Sequence, residues 1–252
     1  MSYTKIIISG NNVEKYEYEK EPRRMGGRRG KRKVNPYSEN VGASRSDTLS
    51  EGQLGKRQDN ARRTGLVFRR IVASNLAGSP PPLLITFTYK ENITDIEIGY
   101  KDYRAFVQAL RNKFGKAFSY IAVSEFQKRG AIHFHALFWG LPSEVFSQER
   151  QTRTIALIWK KGFVYMKETD GNDKLSSYLA KYMVKTFTDP RLKNKKAYLA
   201  SRNIKRPKII AGVDYSFWAV DEEYVGGKNP IIDKQYLTRQ LGNCRYRHWN
   251  IK

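Results

Sequence analysis

The stretch GAIHFHALFWG (residues 130–140) holds two of the chain's three histidines, one residue apart, in an otherwise apolar run. Side chains of a strand alternate between faces, so His133 and His135 point one way while Ile132, Phe134 and Ala136 point the other. Two imidazoles then sit side by side on a rigid scaffold. The preceding residues, EFQKRG (125–130), bring a carboxylate to them if the turn has the right length. With Lys128, Arg129 and Gly130 as a three-residue hairpin loop and Gly130 left-handed, Gln127 pairs with Ala131 and Glu125 falls opposite His133. A two-residue loop shifts the register and turns Glu125 away. Two nitrogens and one oxygen, with positions open for water or substrate, suit a divalent metal such as Mn2+, with Mg2+ able to substitute. A His-x-His pair alone recurs in many sheets as packed or surface residues.

A second cluster lies downstream, in SSYLAKYMVKT (176–186). A helix that starts near Asp173 or Ser176 carries Tyr178, Lys181, Tyr182 and Lys185 on one face. Leu179 and Met183 take the adjoining flank, where they are available to dock onto a sheet. In an ordinary amphipathic helix the same pattern packs the tyrosines and wets the lysines.

The elements that position both clusters follow from hydrophobic periodicity. LLITFTY (83–89), after Pro80, Pro81 and Pro82, reads as a buried strand. Tyr103, Phe106, Val107, Leu110 and Phe114 recur at helical spacing, with Gly115 where a C-terminal cap is expected. SYIAVSEF (119–126) and AIHFHALFW (131–139) read as the next two strands. A helix from about Ser143 to Trp159 and a fourth strand, FVYMKE (163–168), complete the order βαββαβ. The fold class is α+β, a ferredoxin-like antiparallel sheet with helices on one face, followed by the tyrosine-bearing helix. Phe138 and Trp139 read as core.

Charge separates the possible partners. The 252 residues hold 47 Lys and Arg against 24 Asp and Glu, a net charge of +23 that solubility does not require and nucleic-acid binding does. No apolar run approaches the roughly 20 residues of a spanning helix, and MSYTKIIISG lacks the features of a signal peptide. The expectation is a cytoplasmic protein of its host cell with no membrane partner. The single cysteine, Cys244, permits no internal disulfide and no zinc site built on cysteines. Residues 1–64 carry a net +7, 65–190 another +7 and 191–252 a net +9, so every part of the chain can meet phosphate. The boundaries expected are a basic, mobile arm over 1–64, the βαββαβ domain over 65–190 and a basic extension over 191–252. In the arm, PRRMGGRRGKRK gathers Arg23, Arg24, Arg28, Arg29, Lys31, Arg32 and Lys33 for binding DNA phosphates, and a nuclear-import patch has the same composition.

Taken together, HFH followed by the doubled Tyr-x-x-Lys of YLAKYMVK resembles the HUH endonucleases, and within them the rolling-circle replication initiators of small plasmids and single-stranded DNA phages. ITFTY resembles the first motif of that family, and EFQKRGAIHFH and WKKGFVYMKE look like its plasmid and microvirus-type members. The resemblance spans about residues 65–210, including RNIKRPKII, with the three motifs in family order. It implies a metal held by His133, His135 and Glu125. It also implies attack on a DNA phosphate by Tyr178 or Tyr182 assisted by Lys181 or Lys185, a covalent 5′-phosphotyrosine and a free 3′-OH. Single-stranded DNA at a replication origin is the implied substrate, and a host DNA polymerase would extend the 3′-OH. Because the sequence contains no G-x-x-x-x-G-K-[ST], a host helicase is expected to unwind. Thr86 and Thr88 are expected near the cut DNA. A transposase or relaxase of the same superfamily would share metal ligands and tyrosine, whereas a non-enzymatic single-strand binder would have no use for the two histidines.

Overall fold

The computed structural model describes residues 3–22, 51–142, 148–172, 175–176, 178–179, 189–192, 195–212 and 224–251. In chain order its elements are β1 (Tyr3–Ser9), β2 (Asn12–Tyr18), α1 (Glu51–Leu76), β3 (Leu83–Thr88), α2 (Ile96–Phe114), β4 (Ser119–Phe126), β5 (Ile132–Trp139), α3 (Gln148–Trp159), β6 (Val164–Glu168), β7 (Leu199–Ala200), β8 (Lys208–Gly212), β9 (Ile232–Thr238) and β10 (Gly242–Asn250). They divide into two compact units, one from Met1–Glu39 with Lys205–Lys252 and one from Asn40–Ile204. No helix among the described residues is long and apolar enough to cross a membrane.

The Asn40–Ile204 unit is built on an antiparallel sheet in the order β6-β3-β5-β4-β7. Its first four positions reproduce the βαββαβ arrangement expected from periodicity, and β7 extends the β4 edge. Helix α2 starts where Asp95 accepts a hydrogen bond from the Glu97 N–H at 2.9 Å. It ends at Gly115, whose φ of 81° and N–H bond to the Arg111 carbonyl make the cap that the sequence signals. Gly99 lets this helix lie close on the sheet: a Cβ there would stand 3.0 Å from Ile132 Cδ1. The face under α2 and α3 is apolar along its whole length, with Ile85 and Phe87 of β3, Ala122 of β4, and Ile132, Phe134, Ala136 and Phe138 of β5 all buried.

The opposite face carries a helix as well, which corrects the expectation of helices on one side. Phe68, Ile71 and Val72 of α1 pack on Leu84, Ile121, Leu137 and Trp139. Helix α1 also crosses the boundary placed at residue 64. Its first half offers only Ala61 to the core among the residues whose burial is described, so no apolar period announced it. Both Phe138 and Trp139 are core residues, as read.

The second unit is a five-stranded antiparallel sheet in the order β8-β1-β2-β10-β9. Residues 3–18, assigned from the sequence to a mobile arm, form a hairpin between strands from the other end of the chain: β1 pairs with β8 and β2 with β10. Ile6, Val13, Val225 and Trp249 form its small core. The region after residue 191 is accordingly split between both units rather than forming one extension. Arg23, Arg24, Arg28, Arg29, Lys31, Arg32 and Lys33 lie outside the described residues.

Two glycines fix the ends of the strands that matter below. Gly130 has φ of 90°, yet a Cβ would approach nothing closer than 3.5 Å. Gly162 has φ of 155° and lies against the end of β3, where a Cβ would stand 2.3 Å from the Thr88 carbonyl oxygen and 2.4 Å from the Lys90 nitrogen. Gly130→Ala should therefore cost about 1–2 kcal/mol of backbone strain, and Gly162→Ala, which must move backbone, more than about 2 kcal/mol. Urea unfolding of both variants checks the ranking, which reversal would overturn.

Candidate functional site

The histidine face of the sheet changes character along its strands. Its lower rungs, Leu84, Leu137 and Ile121, are covered by α1. The next rung across β3, β5 and β4 is Thr86, His135 and Val123, and the last is Thr88, His133 and Glu125. Val123 is buried, whereas the threonines, histidines and Glu125 keep partial access to solvent. The alternation read from the sequence is observed: Ile132, Phe134 and Ala136 are sealed in the core on the other side.

The turn decides whether Glu125 joins them. The Gln127 N–H donates to the Ala131 carbonyl and the Gly130 N–H to the Gln127 carbonyl, both at 2.8 Å. Lys128, Arg129 and Gly130 are thus the loop, Gly130 is left-handed, and Glu125 pairs with His133. The three-residue alternative holds and the two-residue one does not.

Thr86 and Thr88 have a role that periodicity alone does not reveal. Thr88 Oγ1 lies 2.9 Å from His133 Nδ1, and Thr86 Oγ1 lies 3.3 Å from His135 Nδ1. Each hydroxyl fixes one ring nitrogen and leaves Nε2 as the other functional atom. The available signal was the matching period: T-x-T on one strand faces H-x-H on its neighbour. His135 Nε2 in turn lies 3.2 Å from Glu125 Oε2. With Nε2 protonated it donates to the carboxylate and Thr86 donates to Nδ1. With Nδ1 protonated, Thr86 accepts and the Nε2 lone pair is released. A hydroxyl serves either tautomer because it both donates and accepts.

Burial lowers the pKa of both imidazoles to about 4. At His133 the positive charge of a protonated His135 and of Arg129 adds to that effect, while Glu125 opposes it. Both rings are therefore neutral at neutral pH and have lone pairs to offer. The donor chemistry fits a divalent ion, and the Nε2–Oε2 separation fits two adjacent ligands, since bonds of about 2.1 Å at right angles put donors about 3 Å apart. The third ligand is not in place: among the described residues no three His, Cys, Asp or Glu side chains are arranged to hold a metal ion. The three residues named from the sequence are neighbours, and His133 must turn to complete a set.

Of the tyrosine-bearing segment, residues 175, 176, 178 and 179 are helical. Leu179 is buried against the histidine face, in the cluster that includes Val123, the residue opposite His135. That is the docking expected of its flank. Tyr178 is 48% exposed. Lys181, Tyr182, Met183 and Lys185 lie outside the described residues.

The lowered imidazole pKa values predict a pH dependence of stability. Unfolded histidine titrates near 6.5, so between pH 6.5 and 4 the unfolded chain binds protons that the folded chain refuses. Stability is then fully present above about pH 6.5 and falls as the pH drops towards 4. Urea midpoints at several pH values should show this decline, and a His133→Gln, His135→Gln double variant should decline less. Equal slopes would show that these rings are not held neutral by the fold.

No curated protein and no solved structure shows significant similarity to the chain. A family does match part of it. Residues 82–187 run from the start of β3 through β6 and past Tyr178, with His133, His135 and Glu125 between them. They match the model of the replication-associated protein ORF2 family, whose replication role agrees with the resemblance carried by the ordered motifs.

Proposed function

We propose that the protein initiates rolling-circle replication by nicking and rejoining single-stranded DNA through a covalent 5′-phosphotyrosine. The observation that carries this reading is the pair of neutral, threonine-anchored imidazoles beside Glu125 on the part of the sheet face left uncovered by α1, with Leu179 of the tyrosine-bearing segment docked on the same face.

In this reading the nucleophile is Tyr178 or Tyr182. Its hydroxyl oxygen bonds to the phosphorus, the bond from phosphorus to the 3′-oxygen breaks, and the phenolic proton leaves to solvent or a neighbouring base. The 3′-oxygen departs and becomes a 3′-OH, and its later attack reverses the step. Because the phosphotyrosine conserves the ester bond, rejoining needs no ATP. Lys181 and Lys185 supply positive charge that favours phenolate character. His133, His135 and Glu125 would hold Mn2+ or Mg2+, which when bound supplies charge stabilisation at the scissile phosphate. Thr86 and Thr88 position the imidazoles. Arg23, Arg24, Arg28, Arg29, Lys31, Arg32 and Lys33 add phosphate contacts that raise affinity for any sequence. Host helicase and polymerase complete the cycle, since nothing in this chain's sequence codes for unwinding by a P-loop motor.

The test is incubation with Mn2+ and labelled single strands from the replicon, read as a covalent adduct on a denaturing gel. His133→Ala or His135→Ala should abolish the adduct while most DNA affinity persists, and nicking by the double variant would defeat the metal site. The Tyr178→Phe, Tyr182→Phe double variant should bind DNA but form no adduct, and adduct formation by it would remove this segment from the mechanism.

The threonines give a separate prediction. Thr88→Val keeps volume but removes the group bonded to His133, and should weaken Mn2+ binding by roughly 10- to 100-fold. Titration calorimetry without DNA measures it. Unchanged metal affinity together with weaker DNA binding would return Thr88 to a DNA contact.

A further inference from the structure

The histidine face does not end at β3. Thr86 pairs with His135 on one side and with Tyr165 of the edge strand β6 on the other. One rung further, Thr88 pairs with His133, and its N–H donates to the Phe163 carbonyl at 2.8 Å. Val164 and Met166 pack into the core under α2 and α3. By alternation Tyr165, and Phe163 one rung on, project from the face that carries the histidines.

Both rings stand in the open, Phe163 at 68% exposure and Tyr165 at 54%. The unit has no shortage of buried places for aromatic residues: Phe87, Tyr103, Phe106, Phe134 and Trp159 form a continuous network of ring contacts below the same sheet. Two large exposed rings two residues apart on an edge strand gain nothing for folding and mark an interaction surface. They are about 7 Å apart along the strand, too far to stack on each other and spaced so that each offers a face to a flat ligand. Exposed lysines frame them, Lys160 and Lys161 before and Lys167 after.

Flat rings beside cations, next to the face that carries His133 and His135, match the chemistry of an unpaired nucleic-acid strand. Bases in a duplex already cover one another's faces, whereas bases of a single strand have faces free to stack. We propose that Phe163 and Tyr165 form a base-stacking subsite on the β6 side of the histidines. It would hold nucleotides next to the phosphate that is cut, about two strand spacings or 10 Å from β5. The inference takes its ligand, single-stranded DNA, from the nicking reading. It adds where the flanking bases sit.

The experiment compares two strands of about a dozen nucleotides, oligothymidylate and an abasic strand of the same length that keeps every phosphate. Binding of the full chain to each is measured by fluorescence anisotropy in EDTA. The Phe163→Ala, Tyr165→Ala double variant should lose about 10- to 100-fold in affinity for oligothymidylate and keep its affinity for the abasic strand. Tyr165→Phe, which retains the ring, should bind as the unaltered protein does. Equal losses on both strands, no loss on oligothymidylate, or a loss with Tyr165→Phe would each overturn the subsite. Because binding in EDTA needs no cleavage, the two readings fail separately. Ring-dependent binding by a protein that forms no adduct defeats the nicking reading alone, and adduct formation with ring-independent binding defeats the subsite alone.

Discussion

The register of the β4–β5 hairpin governs the site more than any other single feature. Side chains alternate along a strand, so a slip of one residue would turn His133, His135 or Glu125 into the core and bring Ile132 or Phe134 to the surface. Two restraints prevent the slip. One is the three-residue loop closed by Gly130 in a conformation that other residues adopt only with strain. The other is the sealed apolar face of β5, from Ile132 to Phe138, which has no alternative place in the fold. A loop and a core thus specify the same register independently, and Arg129 of the loop adds hydrogen bonds to the carbonyls of Tyr89 and Lys90 just past β3.

With the register fixed, the two faces of the sheet divide the demands of stability and chemistry. The face under α2 and α3 is apolar from end to end. The other is apolar only where α1 covers it, and turns polar at Thr86, His135, Thr88, His133 and Glu125. Each polar rung continues from an apolar one on the same three strands, so the groups inherit the rigidity of a packed sheet without being sealed beneath a helix. Gly162 serves the same end. It brings the start of β6 against Thr88, and thereby holds the residue that orients His133.

How much of this was legible depended on the distance over which each signal acts. The βαββαβ order, the Gly115 cap and the Glu125–His133 pairing all rest on patterns within about twenty residues, and all were readable. The second sheet was not, because β1 finds its partner β8 about 200 residues away and β2 finds β10 further still. A local sign did exist. Tyr3–Ser9 and Asn12–Tyr18 flank Gly10, whose φ is 61°, as strands flank a tight hairpin turn. The dense Arg and Lys run that follows drew the whole region into one polar arm. Helix α1 was missed for a different reason: a long helix that packs mainly through its second half has no apolar period in its first. The threonine anchors were partly visible as T-x-T, but assigning them to the imidazoles needs the β3–β5 register, which no local pattern supplies.

The electrostatics of the site run against those of the chain. A protein with net charge +23 could crowd lysines around any phosphate it meets, yet the residues gathered beside His133 are two neutral rings, two hydroxyls and one carboxylate. Lysine would serve there only as a fixed cation. Protonated, it has no lone pair, and its charge would repel a divalent ion. Partial burial removes that repulsion at the histidines by keeping both rings uncharged at neutral pH, and Glu125 adds attraction. Dehydrating two imidazoles costs stability as the pH falls, and it also keeps their lone pairs unprotonated. The basic residues of the chain are then left to attract the phosphate backbone from a distance, while the histidine face, nearly neutral, is suited to bind a metal ion and to discriminate by geometry.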